Sequence, residues 1–251
     1  MIRTIGFIGS GSIGGSLARL AVAAGLDVVM SNSRGPETLA DLVAELGDHA
    51  RAATPQEAAK AGDVVVATVP MSAYDKLPAG ALAGKIVIDT MNYYPERDGR
   101  IAELDSGDIT SSELLQRHLA DSPVVKTVHN MDWIRLYSRA RPAGTADRSA
   151  LPVAGDDPAA KTEIIRLLAV LGYDAVDIGT LADSWRCEPG TPVSVWPYLG
   201  ERPEGTTKEE TQRWFREAPG EPVPTDRVKK LIDAAVRGPV GGTFAALPFW
   251  G

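Results

Sequence analysis

A glycine-rich turn near the start of the chain is the pattern with the most specific chemistry. Residues 9–14 read GSGSIG, which fits G-x-G-x-x-G, and they follow a strand-like run and open a helix-like one. In such turns the glycines permit a tight bend, close approach of the backbone to a pyrophosphate, and close helix packing. The helix N–H groups then favour the negative charge. We therefore predict a dinucleotide site at Gly9, Ser10, Gly11, Ser12, Ile13 and Gly14; a turn without a ligand is the alternative.

The end of the second strand indicates which dinucleotide binds. NAD sites usually carry Asp or Glu there, whereas this chain continues with Asn32, Ser33 and Arg34. A carboxylate would repel a 2′-phosphate, and an arginine can bind it through charge-assisted hydrogen bonds. The sequence therefore predicts NADP(H), contacted by Asn32, Ser33 and Arg34. The alternative for Arg34 is an ordinary solvated arginine.

The remaining candidate residues follow three later strands. Ligands of open α/β sheets lie outside the carboxyl ends of the strands, so these three strand ends are expected to border the same ligand site. We expect cofactor contacts from Val69, Pro70, Met91 and Asn92, a catalytic role for His129 and Met131, and apolar walls from Met71, Met91, Met131 and Trp133. The alternatives are core packing for each methionine and a structural role for His129.

A basic segment lies between residues 122 and 150. Its five cationic side chains exceed its two acidic ones, a local charge of +3 in a chain of −7. It is predicted to hold an anionic ligand tail, or otherwise to be a solvated loop. Asp89 is interpreted as a structural hydrogen-bond acceptor, and Cys187 lacks the cationic neighbours of a nucleophile. The cationic residues are Lys126, Arg135, Arg139, Arg141 and Arg148.

Strand-like and helix-like runs alternate over most of the chain. Strands are predicted at residues 4–8, 27–31, 49–53, 64–69, 86–89, 124–128, 151–154 and 175–178, and helices at 13–24, 36–46, 55–61, 111–120 and 159–171. Ser111 or Ser112 is the expected cap of the fourth helix. This alternation predicts an α/β fold, a doubly wound and mostly parallel Rossmann sheet.

Beyond Leu181 the alternation stops and prolines become frequent. This part is predicted to be a loop-rich, partly helical C-terminal extension, with helices at Lys208–Glu217 and Thr225–Arg237. The predicted domains are accordingly residues 1–181, which bind NADP, and residues 182–251, the extension.

Composition excludes several classes of protein. The chain has 251 residues, 44% hydrophobic and 24% charged, and its net charge of −7 argues against nucleic-acid binding. Its single cysteine excludes an internal disulfide, and its three histidines lie too far apart for a metal site. No leader sequence and no apolar run of ~20 residues is present, so we expect a soluble, cytoplasmic protein without membrane contact.

Several segments together resemble the coenzyme F420-dependent NADP oxidoreductase family over residues 4–181. They are residues 9–11 (GSG), 32–34 (NSR), 67–70 (ATVP), 124–130 (VVKTVHN), 155–157 (GDD) and 172–179 (GYDAVDIG). The resemblance implies hydride transfer between NADPH and the deazaflavin, with Ser10, Ser33 and Arg34 around the 2′-phosphate. Thr38 stands where family members often carry a basic residue, so phosphate binding would depend more on Arg34. Residues 131–137 are bulkier than in the family, and the tail is longer.

Two other functions stay open at this point. One is reduction of a small imine or carbonyl substrate by NADPH, with Tyr93, Tyr94, Tyr137 or His129 as the proton donor. The other is a redox sensor that binds NADP(H) and uses the basic segment as a protein interface. We expect a homodimer formed through the C-terminal half, with small-molecule cofactors as the other partners.

Overall fold

The computed structural model describes residues 2–240, in which eight strands form one sheet. The strands are β1 (Thr4–Ile8), β2 (Asp27–Ser31), β3 (Ala50–Ala52), β4 (Val64–Ala67), β5 (Ile86–Asp89), β6 (Val124–Lys126), β7 (Ala150–Gly155) and β8 (Asp174–Gly179). Their order across the sheet is β3-β2-β1-β4-β5-β6-β7-β8.

Helices cover the sheet and extend into the C-terminal segment. They are α1 (Ser12–Ala23), α2 (Ala40–Leu46), α3 (Pro55–Ala61), α4 (Ala79–Leu82), α5 (Pro95–Asp98), α6 (Ala102–Asp105), α7 (Ser111–His118), α8 (Trp133–Ser138), α9 (Pro158–Leu171), α10 (Trp196–Leu199), α11 (Lys208–Glu217) and α12 (Thr225–Asp233). Four 3₁₀ turns lie at Pro36–Leu39, Gly47–His49, Met71–Lys76 and Leu181–Cys187 in the described chain. Within residues 2–240 no helix has the length and apolar character that a membrane crossing requires.

The strand order reverses between β1 and β4. From β1 the chain builds outward to β2 and β3, and then returns to place β4 on the other side of β1. The pairs among the first six strands are all parallel. β7 runs antiparallel to β6, and β8 runs parallel to β7. The prediction of a doubly wound, mostly parallel sheet is confirmed, and the reversal puts a crevice beside the carboxyl ends of β1 and β4.

Burial explains why the central strands form where they do. All four residues of β4 are buried, as are Ile5–Ile8 of β1. A parallel strand covered on both faces reads as a continuous apolar run rather than as an alternating one. The β-branched run that begins at Val64 therefore indicated a central strand.

Some predicted boundaries are wrong for local reasons. β6 stops at Lys126 because Val128 adopts a left-handed backbone, with φ 66°, and turns the chain. The cap of α7 is Thr110, not Ser111 or Ser112, since Thr110 Oγ1 accepts from the N–H of Glu113 at 3.1 Å in a capping box. α12 ends at Asp233 rather than Arg237, and α8 was not predicted.

The C-terminal segment packs into the main core. α11 has the predicted bounds, and buried side chains of the segment join the core cluster that contains β1, β2 and α9. The boundary between residues 181 and 182 stays a prediction, and residues 241–251 of the predicted extension lie outside the described residues. The core residues of the segment are Cys187, Val193, Tyr198, Val223, Val228 and Ile232.

Candidate active site

A cleft of about 340 Å³ opens at the carboxyl edge of the sheet, where the strand order reverses. This volume is within the range of small-molecule sites, roughly 300–1,000 Å³. The fold thus brings the glycine-rich turn and three strand ends to one place. The predicted ligand-binding residues that line the cleft are Gly11, Ser12, Ile13, Val69, Pro70, Met91, Asn92, His129 and Met131.

The glycine-rich turn leaves the start of α1 open to a ligand. Gly9 has φ 113°, and a Cβ there would lie 2.0 Å from the carbonyl oxygen of Thr68. A Cβ on Gly14 would lie 2.7 Å from the carbonyl oxygen of Gly9, whereas a Cβ on Gly11 would meet no atom within 4 Å. Because the N-cap of α1 is Gly11, no side chain covers the first N–H groups of the helix. These groups are therefore available to an anion such as a pyrophosphate.

Asn32 organises the turn after β2. Its Oδ1 accepts from the N–H of Arg34 at 2.9 Å, and its Nδ2 donates to Thr38 Oγ1 at 2.9 Å and to Ser10 Oγ at 3.4 Å. Ser33 and Arg34 are exposed, and Arg34 makes no ion pair within the part of the chain that the structure describes. Both side chains can therefore reach a phosphate beside this turn. The predicted residues that do not line the cleft itself are Gly9, Ser10, Gly14, Asn32, Ser33 and Arg34.

A buried ion pair holds the floor of the cleft. Lys126 Nζ lies 3.2 Å from Asp89 Oδ2, and both side chains are almost fully buried. The two groups also hold both backbone polar groups of Met91, because Asp89 Oδ1 accepts from its N–H at 2.9 Å and Lys126 Nζ donates to its carbonyl. Ser112 Oγ donates to Asp89 Oδ2 at 2.8 Å. Asp89 is thus a structural acceptor, as interpreted from the sequence, and it fixes the strand end that lines the cleft.

His129 and Asn130 bind the C-terminal segment. His129 Nε2 donates to the carbonyl of Cys187 at 2.9 Å, and burial together with the Lys126 ammonium holds the pKa of His129 well below its usual range. Asn130 Nδ2 donates to the carbonyl of Val193 at 3.2 Å, and the carbonyl of Asn130 accepts from the N–H of Val195 at 2.8 Å. The catalytic assignment of His129 stays a prediction, and these contacts favour the structural alternative.

The apolar wall of the cleft differs partly from the expected one. Met91, Met131 and Trp133 line the cleft, as expected. Met71 does not line it, because its side chain is fully buried in the core on the α7 side of the sheet. That part of the prediction is wrong. Val195 is an apolar lining residue that sequence reasoning missed, and it lies in a proline-rich stretch without any periodic pattern. Thr90 and Arg97 also line the cleft and were not predicted.

Two of the four candidate proton donors, Tyr94 and His129, line the cleft. Burial raises the pKa of Tyr94 to about 12. Tyr93 instead donates to Asp105 Oδ1 at 2.8 Å and accepts from the N–H of Ile101, so its hydroxyl is engaged elsewhere. Tyr137 is half-exposed and does not line the cleft.

Arg97 lies beside Tyr94 at the cleft. Its guanidinium makes two hydrogen bonds to the Asp98 carboxylate, at 2.9 and 2.8 Å, and a third to the carbonyl of Asn92 at 2.7 Å. It also lies 5.0 Å from the centroid of the Tyr94 ring. This cation is therefore neutralised by a neighbouring carboxylate and holds the strand-end segment in place.

The basic segment is not a free cationic surface, which corrects the expectation. Lys126 and Arg135 are buried and paired with Asp89 and Asp132. Arg139 and Arg141 share Asp147, and Arg148 pairs with Asp174. Five cations thus lie against four carboxylates, so most of the positive excess that the sequence shows is not available to an anionic tail or an acidic partner.

No cluster of three or more metal-ligating side chains occurs among residues 2–240. The open helix start, the uncovered backbone at Gly11 and the accessible Arg34 fit a phosphorylated dinucleotide.

Comparison with known proteins agrees with this geometry. Residues 4–93 match the family described as NADP oxidoreductase, coenzyme F420-dependent. The resemblance that the sequence motifs indicate is thus confirmed for the segment that contains the glycine-rich turn, the Asn32–Arg34 turn and the first five strands. This match supports NAD(P)-dependent oxidoreduction.

Solved structures and one curated protein extend the comparison. A protein of Sinorhizobium meliloti without an assigned function, SMa0349, is 26% identical with a TM-score of 0.69, and the match covers 80% of this chain and 97% of that one. An Arthrobacter sp. FB24 protein provisionally assigned as an F420-dependent NADP reductase is 25% identical with a TM-score of 0.61, covering 73% of this chain and 87% of that one. Escherichia coli (strain K12) YjhV is 45% identical over 51 residues, 20% of this chain, and the matched part spans only 37% of YjhV.

Proposed function

We propose, from a chain whose residues 4–93 match the F420-dependent NADP oxidoreductase family, that this protein transfers a hydride between NADP(H) and coenzyme F420. The observation that carries the proposal is the cleft. It joins the uncovered start of α1 to apolar side chains at three strand ends, and no carboxylate lines it. Two rings that exchange a hydride directly need close stacking and exclusion of water rather than an acid–base pair.

The proposed roles of the residues follow from their positions. The N–H groups of Ser12, Ile13 and Gly14 bind the pyrophosphate, and Arg34 with Ser33 binds the 2′-phosphate. Val69, Pro70, Met91 and Asn92 contact the nicotinamide end, with Met131 as an apolar wall. NADPH, when bound, would supply the hydride, which an acceptor ring held beside it would take up together with one proton from solvent. The protein orients the rings and keeps water out of the gap between them.

Cofactor choice gives the first test. Arg34→Ala should weaken NADPH binding by about 10-fold or more, since a charge-assisted hydrogen bond contributes roughly 1.5–3 kcal/mol. NADH affinity should stay nearly unchanged, because NADH has no 2′-phosphate. Calorimetric titration of both nucleotides measures the two affinities. Arg202→Ala, at an exposed arginine in the C-terminal segment, is the matched control; equal loss of both nucleotides in Arg34→Ala would contradict the assignment.

The identity of the second substrate needs a turnover assay. A sample shown to bind NADPH should reduce F420, followed by the loss of absorbance of the oxidised deazaflavin. A sample that binds NADPH and reduces no F420 would remove the deazaflavin from the proposal. The second candidate function, reduction of a small carbonyl or imine, would then take its place.

One observation favours that second candidate specifically. Tyr94 lines the cleft, and a carbonyl or imine substrate would need a proton donor there after hydride transfer. Tyr94→Phe should in that case lower kcat for a carbonyl substrate and leave NADPH binding unchanged. The oligomeric state, predicted to be a homodimer, and the cellular location stay predictions.

A further inference from the structure

We infer that Val195, from the C-terminal segment, determines which second substrate the hydride-transfer site accepts, by fixing the width of the gap beside the nicotinamide. This inference rests on the proposed function, because it assigns a residue of the same cleft. Val195 lies about 100 residues beyond the segment that matches the family. Four features of the structure support it.

The first is the backbone of Val195 itself. Its φ is 54° and its ψ is −62°, a conformation that a β-branched residue rarely adopts. Residues held in such conformations persist only where the surroundings enforce them, and they concentrate at ligand sites. The other non-glycine residue with positive φ in the described chain, Val128, immediately precedes His129 at the same cleft.

The second feature is the way this conformation is enforced. The N–H of Val195 donates to the carbonyl of Asn130 at 2.8 Å, and the side chain of Asn130 donates to the carbonyl of Val193 and to Tyr198 Oη. Tyr198 Oη in turn donates to the carbonyl of Ala150 at 2.8 Å, at the start of β7. The segment is thus held on both sides of Val195, through Val193 and Tyr198, so the position of Val195 is fixed relative to the strand ends.

The third feature is the contact behind the wall. Val195 belongs to a buried cluster with Leu199 and Phe215, against which Trp133 packs. The Trp133 and Phe215 rings lie 5.3 Å apart between centroids, and Ser16 Oγ donates to the carbonyl of Trp133 at 2.9 Å. Helix α1, which would carry the pyrophosphate, is therefore connected directly to the wall that faces the second substrate.

The fourth feature is chemical. Val195, Trp133 and Met131 present only apolar surface and one indole to the cleft. A wall of this kind, held rigidly at one distance, favours a flat uncharged ring that stacks on the nicotinamide and disfavours a thicker or charged group. The substrate class that fits is a planar heteroaromatic hydride carrier, of which the deazaflavin ring is one example.

The test replaces Val195 by alanine and by glycine and follows two readouts. The first is the fluorescence emission of bound NADPH, which reports how dry the nicotinamide environment is. Its blue shift on binding should be smaller in both variants, while NADPH affinity stays within about twofold of wild type. The second is the affinity for oxidised F420 in the presence of NADP⁺, a pair that cannot react. It should fall about 5- to 10-fold, the loss expected from removing most of a buried valine side chain.

Control variants distinguish a specific role of Val195 at the cleft from the general effect of removing a buried side chain. Val228→Ala removes the same atoms from α12, away from the cleft, and should change the melting temperature without changing either readout. Val195→Gly relieves the backbone strain at this position, whereas Val195→Ala keeps it. If both variants change the two readouts equally, the change is due to the lost side chain and not to the relieved strain. Unchanged emission and unchanged F420 affinity in both variants would overturn the inference.

If the proposed function is wrong, the results differ from those expected if only the inference about Val195 is wrong. Wild-type protein that binds NADPH but not F420 would remove the deazaflavin from the proposed function, and the emission readout would still decide the role of Val195. Wild-type protein that binds no NADPH would overturn the inference and the proposed function together.

Discussion

Gly11→Val is expected to abolish NADPH binding and leave the protein folded. The Cβ position of Gly11 has no atom within 4 Å, so the fold can accept a side chain there. That side chain would occupy the space in which the backbone meets the pyrophosphate. Loss of two hydrogen bonds to a charged group, at roughly 1.5–3 kcal/mol each, predicts a drop in affinity of about 100-fold or more. Calorimetry measures it, and circular dichroism should show a native melting transition.

Two other glycines provide the comparison for Gly11→Val. Gly80→Val also places a side chain in open space, on an exposed part of α4, and should retain wild-type NADPH affinity. Gly14→Ala should instead destabilise the protein, because its Cβ would lie 2.7 Å from a backbone oxygen. If Gly11→Val binds NADPH as tightly as wild type does, the glycine-rich turn has only a structural role and the cofactor assignment falls.

Lys126→Met is expected to be the most destabilising single change at the site. Removal of one partner from a buried ion pair leaves an uncompensated charge, which costs about 3–5 kcal/mol. At roughly 2–4 °C per kcal/mol for a chain of this size, the melting temperature should fall by about 6–20 °C. The carbonyl of Met91 also loses its donor, so the floor of the cleft should loosen and NADPH affinity should fall with stability.

The double variant Asp89→Asn with Lys126→Met tests the electrostatic cause. The double variant lacks both charges of this pair, so its loss of unfolding free energy should be smaller than the sum of the losses in the two single variants. The difference is the coupling free energy between the two residues. Thermal or denaturant unfolding of all four proteins completes the cycle. Strict additivity would mean that the pair contributes through packing alone.

The parts of the site that could be predicted from sequence are those encoded by short local patterns. Three patterns of this kind each indicate a backbone conformation or a charge within a few residues. They are the glycine-rich turn, the β-branched run of β4 and the absence of an acid after β2. Such patterns carry their own geometry, so candidate residues for a pyrophosphate and a 2′-phosphate could be named from the sequence. The strand-end rule then correctly put Met91, Asn92 and Met131 at the cleft.

The remaining parts depend on contacts between residues far apart in the chain. Net charge by segment could not show that Arg148 pairs with Asp174 on β8. The His129-Asn130 pair suggested chemistry, and yet its hydrogen bonds go to residues 187–198. Proline-rich sequence gave no sign that Val195 reaches the cleft, because the hydrogen bonds that bring it there involve Asn130, which follows β6, and Tyr198 of α10.

Residues 187–199 are anchored beyond the end of β6, and this sets the order in which the parts of the cleft form during protein synthesis. Residues 4–93, which match the family, contain the glycine-rich turn and the Asn32–Arg34 turn. Val195 follows about 100 residues later, which at ~5–20 residues per second is a delay of roughly 5–20 s. A nascent chain can thus form both turns well before Val195 is available to line the cleft. Because Val195 is held through Asn130 and Tyr198, this side of the cleft is complete only after residues 187–199 have been translated.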